Sequence, residues 1–343
     1  MDYAKVIRER RPKLRDNSVT AYALSLKSMA PPDNKDMDYL YDTKEILQRL
    51  EKYKPNTRKN HLNAAVVVLQ GIDSERAKDV VKIYEKKRDK YQEDYIDQTK
   101  SHKKTASQET NWIEWDDYVE LVDRMSKEVK FRGAMSTPTA MKFQDYLVTL
   151  LYQHFPVRND FADLRVITSK EWKKMTEEEE TAENFLVVAG GTKKTGFEMV
   201  LNHYKTSAKY GQRRIKIEQE PVKKALRRWL RHNESGTLLI NRKGAPLSSN
   251  GITKLLSRVG RREVGKSLGS SLLRHSYLSH KYANVTDEKK KDAEMMIQEE
   301  LDGFQAGVDV VTVKLQTTSP PTAKVQDAFQ EVNRARQKKE RVV

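Results

Sequence analysis

Between Ser270 and Tyr282 the chain reads SSLLRHSYLSHKY, which places an arginine, two histidines and two tyrosines within thirteen residues. Arg274 can grip an anion, His275 and His280 can exchange protons, and Tyr277 and Tyr282 carry hydroxyls that could attack an electrophile or simply pack in a core. The sequence holds no cysteine. Thiolate nucleophiles, disulfides and cysteine-based zinc sites are therefore excluded, and any nucleophile is an oxygen or an amine. No carboxylate cluster or histidine spacing has the pattern of a metal centre, and no cofactor is expected.

The distribution of charge indicates what this chemistry would act on. The formal net charge is +16; Leu201 to His280 carries 18 Lys and Arg against 4 Asp and Glu, whereas residues 1–100 carry 22 against 17. A concentrated cationic segment attracts a polyanion and releases its counterions, and nucleic acid is the commonest large anion inside cells. No basic amphipathic helix with a Trp, Phe or Leu face accompanies the surplus, which argues against a lipid surface. Double-stranded DNA is the expected partner. Arg213, Arg214, Arg242, Lys243, Arg261 and Arg262 are the candidate contacts from the basic segment, joined by Arg58 and Lys59 from an earlier stretch. The N-terminus lacks an apolar run of signal-peptide length and no run approaches a bilayer span. A soluble, intracellular protein without membrane association is expected, acting where DNA is.

The elements that must position these residues fall into two groups. Apolar spacing predicts helices at Asn17 to Met29, in DTKEILQRLEKY, after a cap at Asn56, and from about Ser74 to Gln98. DQTKSHKKTASQETNW is polar and without apolar period, as an exposed linker would be. Beyond it, WIEWDDYVELVDRMSKEV and the apolar TPTAMKFQDYLVTLLYQHF read as helices, the second as the core of its domain. FLVVAG, EMVLNHYK and RRIKIEQE read as a small antiparallel sheet, and PVKKALRRWLRH and SSNGITKLLSRVGRREVG as further helices. The expected fold is mainly α with one small antiparallel β-sheet. The expected domains are a helical DNA-binding domain over 1–105, a catalytic domain over 106–316 and a basic tail over 317–343, the last containing a Pro-Pro break and a helix-compatible segment.

This order of parts resembles the tyrosine recombinase or phage integrase superfamily of DNA breaking and rejoining enzymes, over about residues 13 to 296. SVTAYALSLKSM and NTRKNHLNAAVVVL are similar to its core-binding domain, half of a two-domain clamp on DNA. HFPVRNDFADLRV resembles its first arginine motif and would make Arg158 the first catalytic arginine. Asp160 and Asp163 bracket the usual acidic position, a variant more similar to recombinases of large eukaryotic DNA viruses, virophages and Crypton-type elements. LNHYKTSAKYGQRRIKI resembles the hairpin of the catalytic lysine, here Lys205, and SSLLRHSYLSHKY the second arginine motif, with Arg274 and His275.

The resemblance implies a site-specific recombinase that works as a homo-tetramer on paired DNA sites through a covalent 3′-phosphotyrosyl intermediate, without metal. Arg158 and Arg274 would clamp the scissile phosphate through paired hydrogen bonds, and Lys205 would protonate the leaving 5′-oxygen. His275 would either contact phosphate or pack against backbone, and Ser271 stands where the superfamily often has histidine. The family's later histidine position falls near Ile297 or Gln298, and its nucleophile region, about residues 303 to 312, has Phe304 as its only aromatic; no tyrosine follows Tyr282. Three explanations stay open: a chain that has lost the nucleophile, an altered tail, or an earlier tyrosine that serves instead. Tyr277 and Tyr282, close to Arg274 on one expected helix, read as packing residues. Besides recombination, the sequence is compatible with a catalytically inactive DNA-binding derivative and with a topoisomerase-like enzyme of the same phosphate chemistry.

Overall fold

The computed structural model of the protein describes residues 2–32, 36–100, 104–129, 135–190, 196–205 and 207–281. The chain divides into two compact units, Met1–Lys103 and a second beginning at Lys104. Tyr282, Ile297, Gln298, Phe304 and the 317–343 tail lie outside the described residues.

The first unit is helical: α1 (Tyr3–Arg10), α2 (Asp16–Met29), α3 (Thr43–Leu50), α4 (Pro55–Leu69) and α5 (Glu75–Lys100). Asp42 starts α3 by accepting the Glu45 N–H at 2.9 Å, satisfying one of the helix's orphan donors. The third predicted helix starts two residues earlier than expected, with Lys54 rather than Asn56 at the cap position, because Pro55 occupies the first turn with its φ already helical. Leu62, Ala65, Val66 and Leu69 of α4 are buried with Leu26, Leu40, Leu50 and Tyr84 in one core. The stretch read as a linker is partly helical. Helix α5 runs to Lys100, and Thr105 and Gln108 form a reciprocal cap that opens α6 (Ala106–Asn111).

The second unit continues with α7 (Trp115–Glu128), α8 (Thr137–His154), β1 (Arg165–Thr168), α9 (Ser169–Trp172), α10 (Glu177–Ala182), β2 (Phe185–Ala189) and β3 (Gly196–Leu201). After these come α11 (Ser207–Tyr210), β4 (Arg213–Ile217), α12 (Glu220–Leu230), α13 (Ser249–Val264) and α14 (Ser270–Lys281). Helix α8 lies at the centre, touching α7, α12 and α13, with Leu147, Val148 and Leu151 buried. Gln144 on the same helix is buried and pairs with both backbone groups of Ile240, donating to its carbonyl at 2.9 Å and accepting its N–H at 2.8 Å. A second polar tie, Asp145 with Arg258 and Arg262, joins α8 to α13.

The sheet has the order β1-β2-β3-β4 and is mixed, which corrects the expected all-antiparallel arrangement. Strands β2, β3 and β4 pair antiparallel, but β1 runs parallel to β2, Arg165 opposite Phe185 and Thr168 opposite Val188. A parallel pair needs a crossover rather than a hairpin, and residues 169–184, carrying α9 and α10, supply it. One face of the sheet joins the large helical core through Leu186, Met199, Leu201 and Ile217. The other buries Ile167, Trp172, Phe185, Val187 and Val200 under α9.

Candidate functional site

Three segments that are far apart in sequence converge in the second unit. Helix α8 ends at His154, and the chain turns through Arg158, Asn159 and Asp160. Tyr152, buried in the last turn of α8, donates its hydroxyl to the Arg158 carbonyl at 2.6 Å and lies 3.1 Å from Asn159 Oδ1. The Asn159 amide in turn donates to Ser249 O at 2.9 Å and Thr253 Oγ1 at 2.8 Å, fixing this turn on the start of α13. Ser270, the first residue of α14, lies near the same hydroxyl and opposes the rise of its pKa. One hydroxyl thus braces the Arg158 turn and sits beside the helix that carries Arg274.

Helix α14 is set by the end of α13. Gly265, at φ 69°, takes the left-handed conformation that terminates the helix. Gly260 lets the following segment press close, since a Cβ there would come within 2.4 Å of Lys266 O and Leu268 Cγ. Ser276 donates to Ile113 O at 2.6 Å, and Tyr277 packs edge-on against Trp115 with ring centroids 5.1 Å apart.

Arg274 is among the largest fully buried side chains, 2% exposed, and neither Nη1 nor Nη2 finds a hydrogen-bond partner among the described residues. Burial lowers its pKa from 12.5 to about 10; nearby Arg158 adds to the lowering, and Asp160 and Tyr152 oppose it. Arg158 is half-buried, its pKa lowered by burial and held up by Asp160. Burial raises the Asp160 carboxyl above the ordinary range, against the pull of Arg158, Arg274 and Arg213. Arg158, Arg274 and Arg213 therefore all lie within electrostatic reach of one carboxylate in partly desolvated surroundings. A buried charge with its donors unspent is costly unless an anion arrives, so the arrangement suits an oxyanion able to take several guanidinium hydrogen bonds.

Lys205 is exposed on the loop joining β3 to β4. Asn184 fixes the start of that loop by accepting the N–H groups of Asn202 at 2.7 Å and His203 at 2.8 Å. Tyr204 is buried and donates to Gly211 O at 2.9 Å, within electrostatic reach of Arg213 and Asp160. Lys205 follows it directly. His275 is buried on α14, while His280 is exposed, its Nδ1 3.7 Å from Asp116.

The remaining predicted DNA contacts are scattered. Arg242 and Lys243 are exposed at the turn after Ile240, and Arg261 is exposed on α13. Arg262 is engaged with Asp145 and Glu263, and Arg214 with Glu198. In the first unit Arg58 donates to the carbonyls of Tyr53 and Glu51, and Lys59 to Gln92 Oε1 at 2.9 Å. Tyr152 and Tyr204, which help organise the site, were not singled out by the sequence; a tyrosine at the end of an apolar helix has no local mark separating bracing from packing.

Among the described residues no group of three or more His, Asp or Glu side chains is placed to hold a metal ion, and no helix is long and apolar enough to cross a membrane. No family model matches the chain, and no curated protein does. Among solved structures, the chain is similar to the XerH site-specific recombinase bound to difH substrate in a pre-cleavage complex, at 14% identity over 95% of this chain and 94% of that one, with a TM-score of 0.41.

Proposed function

We propose that the chain is a DNA-binding protein of the tyrosine recombinase type, whose second unit grips a phosphodiester with Arg158 and Arg274. The observation that carries this reading is Arg274 itself: a guanidinium with both terminal nitrogens buried and without hydrogen-bond partners among the described residues, beside a second arginine. Both forks match non-bridging phosphate oxygens and stay charged at neutral pH. As phosphorus becomes five-coordinate, charge grows on those oxygens, and fixed cations in a desolvated site stabilise it. Lys205, on the loop beside Tyr204, is the proton donor to the leaving 5′-oxygen, and His275 supports Arg274 on its helix. The two units close on duplex DNA as a clamp, and a tetramer pairs two sites of a mobile or viral element.

A specific observation favours a second reading, in which the protein binds DNA without cutting it in cis. The Tyr152 and Tyr204 hydroxyls already donate to backbone carbonyls, and burial raises both pKa values. Tyr277 packs on Trp115, and the expected nucleophile region, about residues 303 to 312, has Phe304 as its only aromatic.

A library of nicked suicide duplexes separates the two readings. A protein–DNA adduct on a denaturing gel that is lost in Arg274→Ala supports strand cleavage, and mass spectrometry then locates the nucleophile. Binding without any adduct supports the second reading. Binding that weakens less than about tenfold between 50 and 200 mM salt refutes both, since several phosphate contacts demand a steeper dependence.

A further inference from the structure

Strand β4 opens with Arg213 and Arg214, two adjacent arginines of the same type. The register with β3 sets Arg213 opposite Leu201 and Arg214 opposite Val200, and successive strand residues project to opposite faces. Leu201 belongs to the large helical core and Val200 to the small cluster under α9. Arg214 accordingly forks onto Glu198 at 3.1 and 2.7 Å and lies over the Trp172 ring, 5.6 Å from its centroid. Arg213 is half-buried on the other face. Its electrostatic neighbours are Tyr204, from the Lys205 loop, and Asp160, the carboxylate on which Arg158 and Arg274 also act.

Building on the phosphodiester reading above, we propose that Arg213 is a third guanidinium of the phosphate pocket, binding the same phosphate as Arg158 and Arg274, whereas Arg214 braces the far face of the sheet. Charge gives Arg213 its purpose. The phosphodiester gains negative charge as it becomes five-coordinate, and a further fixed guanidinium is worth more against that state than against the resting singly charged ester, so Arg213 favours the transition state over the ground state.

The test uses the full chain and inorganic phosphate, with potassium chloride at matched ionic strength as reference. Melting is followed by tryptophan fluorescence at about pH 6, where phosphate is mostly the monoanion, and at about pH 8, where it is mostly the dianion. Phosphate should stabilise the wild type, and Arg274→Gln should abolish that response. Arg213→Gln should weaken the apparent phosphate affinity about tenfold at the higher pH and less at the lower, the loss expected for charge-assisted hydrogen bonds to a fully charged ligand. Arg213→Lys, which keeps the charge but not the fork, should fall between and guards against loss of the fold. Lys216→Gln, an exposed change on the same strand, should respond as the wild type. An Arg213→Gln protein with wild-type phosphate affinity at both pH values overturns the inference, even if it melts lower in chloride, since that is a structural role alone. A wild type indifferent to phosphate instead overturns the phosphate pocket on which the inference rests.

Discussion

Replacing Arg274 with methionine should stabilise the ligand-free second unit while removing its hold on phosphate. In the folded chain burial, reinforced by Arg158, brings the Arg274 pKa from 12.5 to about 10. At 1.36 kcal/mol per pKa unit, keeping the charge inside the fold costs about 3 kcal/mol. The penalty is full at neutral pH, where folded and unfolded chains are both protonated, and fades only as pH rises from about 10 towards the unfolded value. Methionine keeps much of the side-chain stem and carries no charge. Allowing for imperfect packing, the gain should be roughly 1–3 kcal/mol, as when buried ions are exchanged for apolar side chains.

The sequence has four tryptophans, at 112, 115, 172 and 229, all in the second unit. Fluorescence-monitored urea unfolding therefore follows that unit alone. With a slope of about 3 kcal/mol per molar urea, the midpoint should rise by roughly 0.3–1 M. DNA binding, measured on the same protein, should fall. A lower midpoint for Arg274→Met would refute the reasoning, because it would mean that the guanidinium contributes more folded-state stability than its burial costs.

Tyr152→Phe removes the donor to Arg158 O and leaves that carbonyl without this partner; urea unfolding should show a loss of about 1–3 kcal/mol, and DNA affinity should drop as the Arg158 turn loosens. Gly260→Ala places a Cβ 2.4 Å from Lys266 O, forcing the segment before α14 outward; a loss of about 1–3 kcal/mol in unfolding experiments is expected, with weaker phosphate stabilisation as Arg274 shifts. His61 in the first unit is buried, with Nδ1 lacking a partner among the described residues and Nε2 3.2 Å from Ser28. Burial, with Lys52 nearby, lowers its pKa from 6.5, so the unfolded chain takes up the proton first and stability is lost as pH falls through about 6.5. Hydrogen exchange in α4, corrected for intrinsic rate, should accelerate from pH 7 to 5.5 in the wild type and respond less in His61→Phe.

Much of this architecture is legible along the chain because helices announce themselves locally. The apolar spacing of TPTAMKFQDYLVTLLYQHF forecasts α8, and the polar stretch before Trp112 forecasts a break between helical groups, although the Thr105 and Gln108 cap makes part of it helical. Strand β1, RVIT, is too short to carry a periodic signal. Its parallel pairing depends on the crossover through α9 and α10, which no residue pattern specifies. The motifs around Arg158 and Arg274 mark both in the sequence, but not the burial that leaves Arg274 2% exposed. Asp160 was legible only as a bracket around an expected position, yet in the fold three arginines act on its carboxylate.

The lack of thiol chemistry, the concentration of positive charge between Leu201 and His280, and the helical spacing that builds both units follow from the order of residues alone. Those properties are sums or short-range periods, and they survive without knowledge of contacts. Which side chains each cation meets is settled by the fold. Arg213 and Arg214 are identical in type and adjacent in the chain, but the β3–β4 register sets one on the face of the large helical core, within electrostatic reach of Asp160, and the other on the face where it pairs with Glu198. Arg274 is one arginine among many until α8, the Arg158 turn and α14 enclose it. Desolvation of a charge depends on everything packed around it, and no run of neighbouring residues contains that information.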